Sequence, residues 1–191
     1  MAEPLIRAGL TKIALKGIYR ELEASQARVL RDVPEDEVET VEQGFGTAWL
    51  PARVHVHICD AILAHCGEQG YVKFWRDVTD VIMEAPMFRK VAESATRLYR
   101  GPVGLFRATP HAWPTMAKHL GGFEMSEHGR GVARMTYQGF TPELAATGSY
   151  ALAFQGAFLG YIKQTGAEGS VELIDRDFSS GNATYELRWA V

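Results

Sequence analysis

Residues 123–140 read FEMSEHGRGVARMTYQGF, and apolar and polar side chains alternate on both sides of a glycine-rich turn. This alternation is typical of a β-hairpin with one buried face. Phe123 and Met125 on the first arm would face Met135 and Tyr137 on the second, across the turn HGRG. The stretch therefore predicts two antiparallel strands late in the chain.

A second stretch of the same kind closes the chain. The segments VELIDRD and ATYELRW flank the turn SSGN. In the last of them Tyr185, Leu187 and Trp189 alternate with polar residues, as a half-buried strand requires. The two hairpins together predict a four-stranded antiparallel sheet.

A long helix over roughly 142–165 is expected between the hairpins. Thr141 is its predicted N-cap, with proline at the first helical position. Gly148, Gly156 and Gly160 share one stripe with a leucine, although each glycine costs a helix about 1 kcal/mol relative to alanine. Another backbone must therefore approach this stripe. The protein's own sheet is the favoured partner, and a second subunit is the alternative.

The first two-thirds of the chain show apolar residues at helical spacing, so the sequence predicts an α+β fold in one domain, residues 1–191, with about the first 15 residues loosely ordered. The predicted helices cover about 16–31, the acidic stretch after Pro34, Pro51 to Gly67, 71–82 and 88–99, with a short helical turn after Trp113-Pro114. The segment GFGTAWLP is predicted to be a loop.

Composition excludes several classes of protein. The chain has 191 residues, 47% of them hydrophobic, and a net charge of −3. This charge gives no basic surface for nucleic acid, and no basic run suggests an anionic membrane. The amino terminus is too polar for a signal peptide, and no run of about 18 apolar residues could span a bilayer. We expect a reduced, cytoplasmic protein.

The stretch VHVHICDAILAHC, residues 54–66, contains three histidines, two cysteines and an aspartate, so it is the first place to look for a metal site. On a helix His55, Cys59 and Cys66 share one stripe, whereas His65 lies on the neighbouring one, so the candidate ligands do not converge on a metal. The two cysteines would lie roughly 10 Å apart along the axis, beyond disulfide reach. The sequence predicts no metal site, and it predicts that both thiols are reduced and buried.

No catalytic constellation can be assembled. The chain has no GxSxG, GxGxxG or GxxxxGK[ST] motif, and Ser149 has no evident base. The aromatic residues of the helical part either line an apolar pocket or form plain core, and His111, in the predicted loop TPHAWP, is a surface histidine or a pocket residue. The candidate ligand-binding residues are Trp75, Phe88, Tyr99, Phe106, His111 and Trp113.

The order of elements resembles one superfamily, on the segments LGGFEMSEHGRGVARMTYQGF, FLGYIKQTGAEG and VELIDRDFSSGNATYELRW. It includes the vinyl-reductase-type ligand-binding domains, the haem nitric-oxide-binding domains and the Bet subunits of the TRAPP tethering complex. From about residue 30 onward the chain is also similar in length and flow to a paralogous family of myxobacterial proteins.

The resemblance implies binding, sensing or scaffolding rather than catalysis. Two departures matter. The closing hairpin lacks the cysteines that vinyl-reductase-type domains often carry. The haem-binding branch uses a helix histidine with a Tyr-x-Ser-x-Arg motif, which TYQGF and LYRGP both lack. These departures argue against haem, although His111 or His65 could supply an axial nitrogen, and the sequence leaves the cofactor unknown.

Two hypotheses for function follow. The first is a non-catalytic module for binding or sensing a small hydrophobic molecule in signalling, with an apolar pocket between helices and sheet. The second is a dimeric assembly module resembling the TRAPP Bet subunits. Under both, a homodimer is expected, with no nucleic-acid partner, and an enzyme is the weakest alternative.

Overall fold

The computed structural model describes residues 2–84, 101–175 and 181–191. Its elements are β1 (Leu5–Arg7), α1 (Ala8–Glu21), a 3-10 turn (Glu23–Ser25), α2 (Gln26–Arg31), α3 (Glu35–Gln43), β2 (Trp49–Pro51), α4 (Ala52–Glu84), α5 (Val103–Met116), β3 (Ala117–Lys118), β4 (Gly122–Gly129), β5 (Val132–Gln138), α6 (Pro142–Ala145), α7 (Ser149–Gln164), β6 (Gly169–Asp175) and β7 (Asn182–Trp189).

The four-stranded antiparallel sheet has the order β4-β5-β7-β6, so the two predicted hairpins are its two halves. Phe123 pairs with Tyr137 and Met125 with Met135, as the alternation required. Strands β5 and β7 join the hairpins, with Met135 opposite Tyr185. The predicted α+β class and the four-stranded sheet are confirmed.

Helix α7 is the middle layer between this sheet and α4. The Tyr185 hydroxyl of the sheet donates to the Ala151 carbonyl at 2.9 Å, and the opposite side of α7 presents Gly156 and Gly160 to α4. The expectation that the glycine stripe packs on the sheet is wrong, because Gly156 faces Trp75 and Val72 of α4, and Gly160 faces Thr79 of the same helix. The glycines instead let two helix backbones approach each other.

The long helix expected between the hairpins is present as α7, but it begins at Ser149 and not at residue 142. Gly148 has φ of +72°, a left-handed conformation that ends one helix and precedes the next. Thr141 does occupy the N-cap position and Pro142 the first helical position, but of the short helix α6 alone. Gly148 therefore turns the chain between α6 and α7 and does not belong to the packing stripe.

The amino-terminal half differs from expectation in two places. The helix expected at 16–31 is α1 and α2, separated by a 3-10 turn, because the buried face of α1 begins earlier, at Ala8. The expected loop GFGTAWLP contains the strand β2, which pairs with β1, and β1 also pairs with β3. Ile6 of β1 is fully buried.

The short helical turn expected after Trp113-Pro114 also differs from the structure. Residues 103–116 form α5, so His111 lies in a helix and not in a loop between two prolines. Pro110 and Pro114 each lack the amide hydrogen that would bond one turn back. Burial of Phe106 and Trp113 holds the helix against the sheet despite this loss. The helix expected at 88–99 lies outside the described residues.

None of the helices in the described parts of the chain combines the length and the apolar character that a membrane span needs.

Candidate ligand cavity between helices and sheet

A cavity of about 60 Å³ lies where α1, α4, α5 and α7 meet the inner face of β4. Its wall consists mostly of aromatic rings, and the described side chains that line it include no acid, lysine or arginine. The rings are those of Trp75, Trp113, Phe123, Tyr150, Phe154, Phe158 and Tyr161.

Helix α7 supplies the largest share of this wall. Tyr150, Phe154 and Phe158 recur at every fourth position and therefore lie on one face of the helix. Phe154 contacts Phe123 of β4 with ring centroids 4.8 Å apart, and it contacts Trp113 of α5 at 5.3 Å. The glycine face of α7 packs on α4 while the aromatic face forms the cavity, so one helix has both functions.

His55 is the histidine of the cavity wall. It is 2% exposed, and its ring lies 5.9 Å from those of Trp75 and Tyr150. Burial lowers the pKa of His55 to about 4, because the apolar surroundings disfavour the imidazolium. The side chain is therefore neutral at pH 7, with one nitrogen that donates and one that accepts.

Several polar atoms of the wall have no hydrogen-bond partner within the described parts of the chain. They include His55 Nδ1, Trp113 Nε1 and the Tyr150 hydroxyl oxygen. Buried polar atoms are rarely unpaired in native proteins, so each of these calls for an explanation such as a bound water or ligand. Burial also raises the pKa of Tyr150 well above its ordinary value. The cavity thus disfavours charge in any occupant.

The structure brings together only some of the predicted site residues. Trp75 and Trp113 line the cavity. Phe106 is fully buried beside it, with its ring 5.9 Å from that of Phe158. His111 is exposed to solvent on α5. Phe88 and Tyr99 lie outside the described residues.

Sequence reasoning missed His55 and the aromatic face of α7. His55 belonged to a stretch interpreted as a core helix, which is correct for its burial but left its place beside Trp75 unseen. The spacing of Tyr150, Phe154 and Phe158 is visible in the sequence. The glycines on the same helix indicated a packing stripe, and the aromatic spacing was therefore not assigned to a site.

The two cysteines of α4 and its histidines other than His55 do not converge on one site. Cys59 is fully buried, whereas Cys66 is partly exposed, so the expectation of two buried thiols is wrong for Cys66. Gly67 has φ of +66° and kinks α4 just beyond Cys66, where the sequence placed a helix end. Among the residues that the structure describes, no three His, Cys, Asp or Glu side chains are grouped to hold a metal ion.

Comparison with solved structures defines the fold. The chain is similar to an H-NOX protein from K. algicida in the Fe(II) unliganded state, at 9% identity and a TM-score of 0.67 over 97% of both chains. It is similar to an H-NOX protein from S. oneidensis in the Fe(II)NO state, at 6% identity and a TM-score of 0.68 over 97% of this chain and 100% of the other. An oxygen-binding H-NOX domain related to soluble guanylate cyclases matches at 11% identity and a TM-score of 0.65, over 97% and 96%.

These similarities show that the chain has the fold of H-NOX domains. Of the families that the sequence resembles, the haem nitric-oxide-binding domains are the one whose fold these similarities show. Comparison with protein-family models and with curated proteins gives no match.

The residues that the structure describes do not fit a haem. The cavity of about 60 Å³ is well below the roughly 300–1,000 Å³ of sites for drug-sized ligands and cofactors. His65 and His111, the expected axial donors, are both exposed. The rings of Trp113 and Phe154 fill the space between α5 and α7. The fold is shared with H-NOX domains, but in this arrangement the interior is occupied by the protein's own side chains.

Proposed function

We propose that the protein is a non-catalytic module that binds or senses a small molecule in the cavity between its helices and its sheet. The observation that carries the proposal is the neutral, buried His55 in an aromatic wall that has unpaired polar atoms. The chain shares its fold with an H-NOX protein in the Fe(II)NO state and with an oxygen-binding H-NOX domain, and this likeness supports a role in small-molecule binding.

The cavity limits the occupant. A volume of about 60 Å³ holds only a few non-hydrogen atoms. The aromatic wall favours an apolar or weakly polar molecule, and burial of a charge there would be costly. A small, uncharged molecule is therefore the class of ligand proposed.

The test uses xenon as a probe, because apolar cavities in proteins bind this atom. The chain has four tryptophans, and Trp75 and Trp113 line the cavity. Dissolved xenon should shift the indole ¹H–¹⁵N signals of these two and leave those of Trp49 and Trp189 in place. Ala157→Leu, which fills the cavity, should abolish the shifts, whereas Ala64→Leu at an exposed position of α4 should preserve them.

Native mass spectrometry after gentle extraction completes the test. A small molecule that copurifies with the wild type but not with Ala157→Leu supports the proposal. Absence of both a copurified molecule and a xenon response would contradict it. An empty protein of twice the chain mass would favour the assembly module instead.

A further inference from the structure

A second cleft, of about 450 Å³, opens between the amino-terminal segment, the start of α4 and α6. Among the described residues, the linings of this cleft and of the aromatic cavity have no member in common. Pro4, Pro51, Val56 and Leu144 give it an apolar side. Its volume falls within the roughly 300–1,000 Å³ of small-molecule sites. The cleft therefore has room for an organic ligand that the aromatic cavity could not hold.

Asp60 of α4 is held in place at this cleft by two hydroxyl groups. The Thr147 hydroxyl lies 2.6 Å from Asp60 Oδ1 and the Ser149 hydroxyl 2.5 Å from the same oxygen. Ser149 itself is fully buried at the start of α7. The second oxygen, Oδ2, has no hydrogen-bond partner within the described residues. A carboxylate is thus oriented with one acceptor oxygen available.

His57 is oriented in a comparable way. Its Nδ1–H donates to Glu37 of α3 at 2.7 Å, and Glu37 is mostly buried. A histidine that donates from Nδ1 carries its free lone pair on Nε2 when it is neutral. His57 and Asp60 are three residues apart on α4, so their β-carbons lie about 5–6 Å from each other on one face. Both available atoms are acceptors.

The charge around the cleft favours a cation. Among the described residues, Glu3 and Asp60 line the cleft and Glu37 is hydrogen-bonded to His57 of the lining, whereas Arg53 contributes a guanidinium. Arg53 is itself paired, with Nη1 3.3 Å from Glu3 and Nε 4.0 Å from Glu37. Its charge is therefore compensated before any ligand arrives. The charge of Asp60 is not, since hydroxyls are its partners.

We propose that this cleft binds a small organic cation with a primary ammonium group, which donates to Asp60 Oδ2 and His57 Nε2 while its carbon skeleton rests on Val56 and Leu144. An ammonium group has three donors and no acceptor, so it complements these acceptors. A metal ion fits this cleft less well, because the described residues include no cluster of three His, Cys, Asp or Glu side chains that could hold one. This site is independent of the function proposed for the aromatic cavity.

Isothermal titration calorimetry with methylamine, 1,4-diaminobutane and phenethylamine tests the proposal, with 3-phenylpropionate as the acid matched to phenethylamine. At least one amine should bind saturably and the acid should not. Asp60→Asn keeps an oxygen for Thr147 and Ser149 but removes the charge. It should weaken amine binding by about tenfold or more, since hydrogen bonds to charged groups are worth over 1.4 kcal/mol.

Three controls keep the result specific. Glu172→Gln removes an exposed carboxylate of β6 and should leave amine binding unchanged, as should Ala157→Leu in the aromatic cavity. Equal melting temperatures of wild type and Asp60→Asn would establish that the variant is folded. The proposal is overturned if none of the three amines binds, if Asp60→Asn binds them as well as the wild type, or if Zn²⁺ binds through Asp60 and excludes the amines.

Discussion

Gly156 of α7 lies so close to Trp75 of α4 that a β-carbon at position 156 would stand 2.5 Å from the Trp75 Cβ and 2.6 Å from the Val72 carbonyl oxygen. Real β-carbons do not approach other atoms this closely, so only glycine fits. The contact fixes the distance between the two helices whose other faces form the aromatic cavity. Packing of α7 on α4 therefore also positions Trp75 in the cavity wall.

Gly156→Ala should destabilise the protein by about 1–3 kcal/mol, because the added methyl group overpacks a rigid backbone contact. Gly122→Ala is the matched control, since a β-carbon there would meet no atom within 4 Å. It should change the free energy of unfolding by less than about 0.5 kcal/mol. Chemical denaturation measures both. Equal stability of the two variants would show that the helices are not held at this distance.

The sheet could be predicted from the sequence because its pattern has period two. Met125 and Met135 face each other as the alternation of residues 123–140 required. Local patterns were enough there, since each hairpin pairs neighbouring segments. Helix α5 was missed for the opposite reason. Pro110 and Pro114 indicate a loop by local rules, and only burial of Trp113 against the sheet outweighs them.

The site was less predictable than the fold. The sequence offers Trp75 and Trp113 only as aromatic residues of its helical part, with Trp113 in a predicted loop, and it cannot say whether the two side chains turn toward one space. His55 looked like part of an apolar stripe, and its burial agrees with that interpretation. Its position 5.9 Å from Tyr150 depends on the packing of α7 on α4. Such contacts between distant segments are not encoded in local spacing.

The two cysteines should differ in reactivity. Burial raises the pKa of the Cys59 thiol to about 12, so almost no thiolate is present at pH 8. Cys66 is partly exposed on the same helix, so a reagent can reach its thiol although burial raises its pKa as well. A thiol reagent should modify Cys66 in the native protein and Cys59 only after unfolding. Cys66→Ser should abolish native labelling, and Cys59→Ser should preserve it; labelling of Cys59 at the same rate would contradict the buried position.

His55 should make stability depend on pH. Its folded pKa of about 4 lies below the value near 6.5 of an unfolded chain. The unfolded state therefore binds more protons between these values, and stability falls as the pH drops from about 6.5 to 4. The loss attributable to His55 is about 3 kcal/mol. His55→Phe should flatten this part of the curve, whereas His128→Gln, at an exposed position, should not. Parallel curves for wild type and His55→Phe would refute the assignment.

The space between the helices and the sheet should not hold a haem. The rings of Trp113 and Phe154 leave a cavity of only about 60 Å³, so protein purified from haem-supplemented cells should contain far less than one haem per chain. Addition of haemin to the purified protein should likewise give no axial histidine complex, because His65 and His111 are exposed and lie away from the cavity wall. Haem content measured by pyridine haemochrome, with absorption spectra of the ferric and ferrous forms, checks both statements. Stoichiometric haem that is lost in His55→Leu but kept in His111→Leu would overturn the prediction and would identify His55 as the axial ligand, in an arrangement where the aromatic rings move aside.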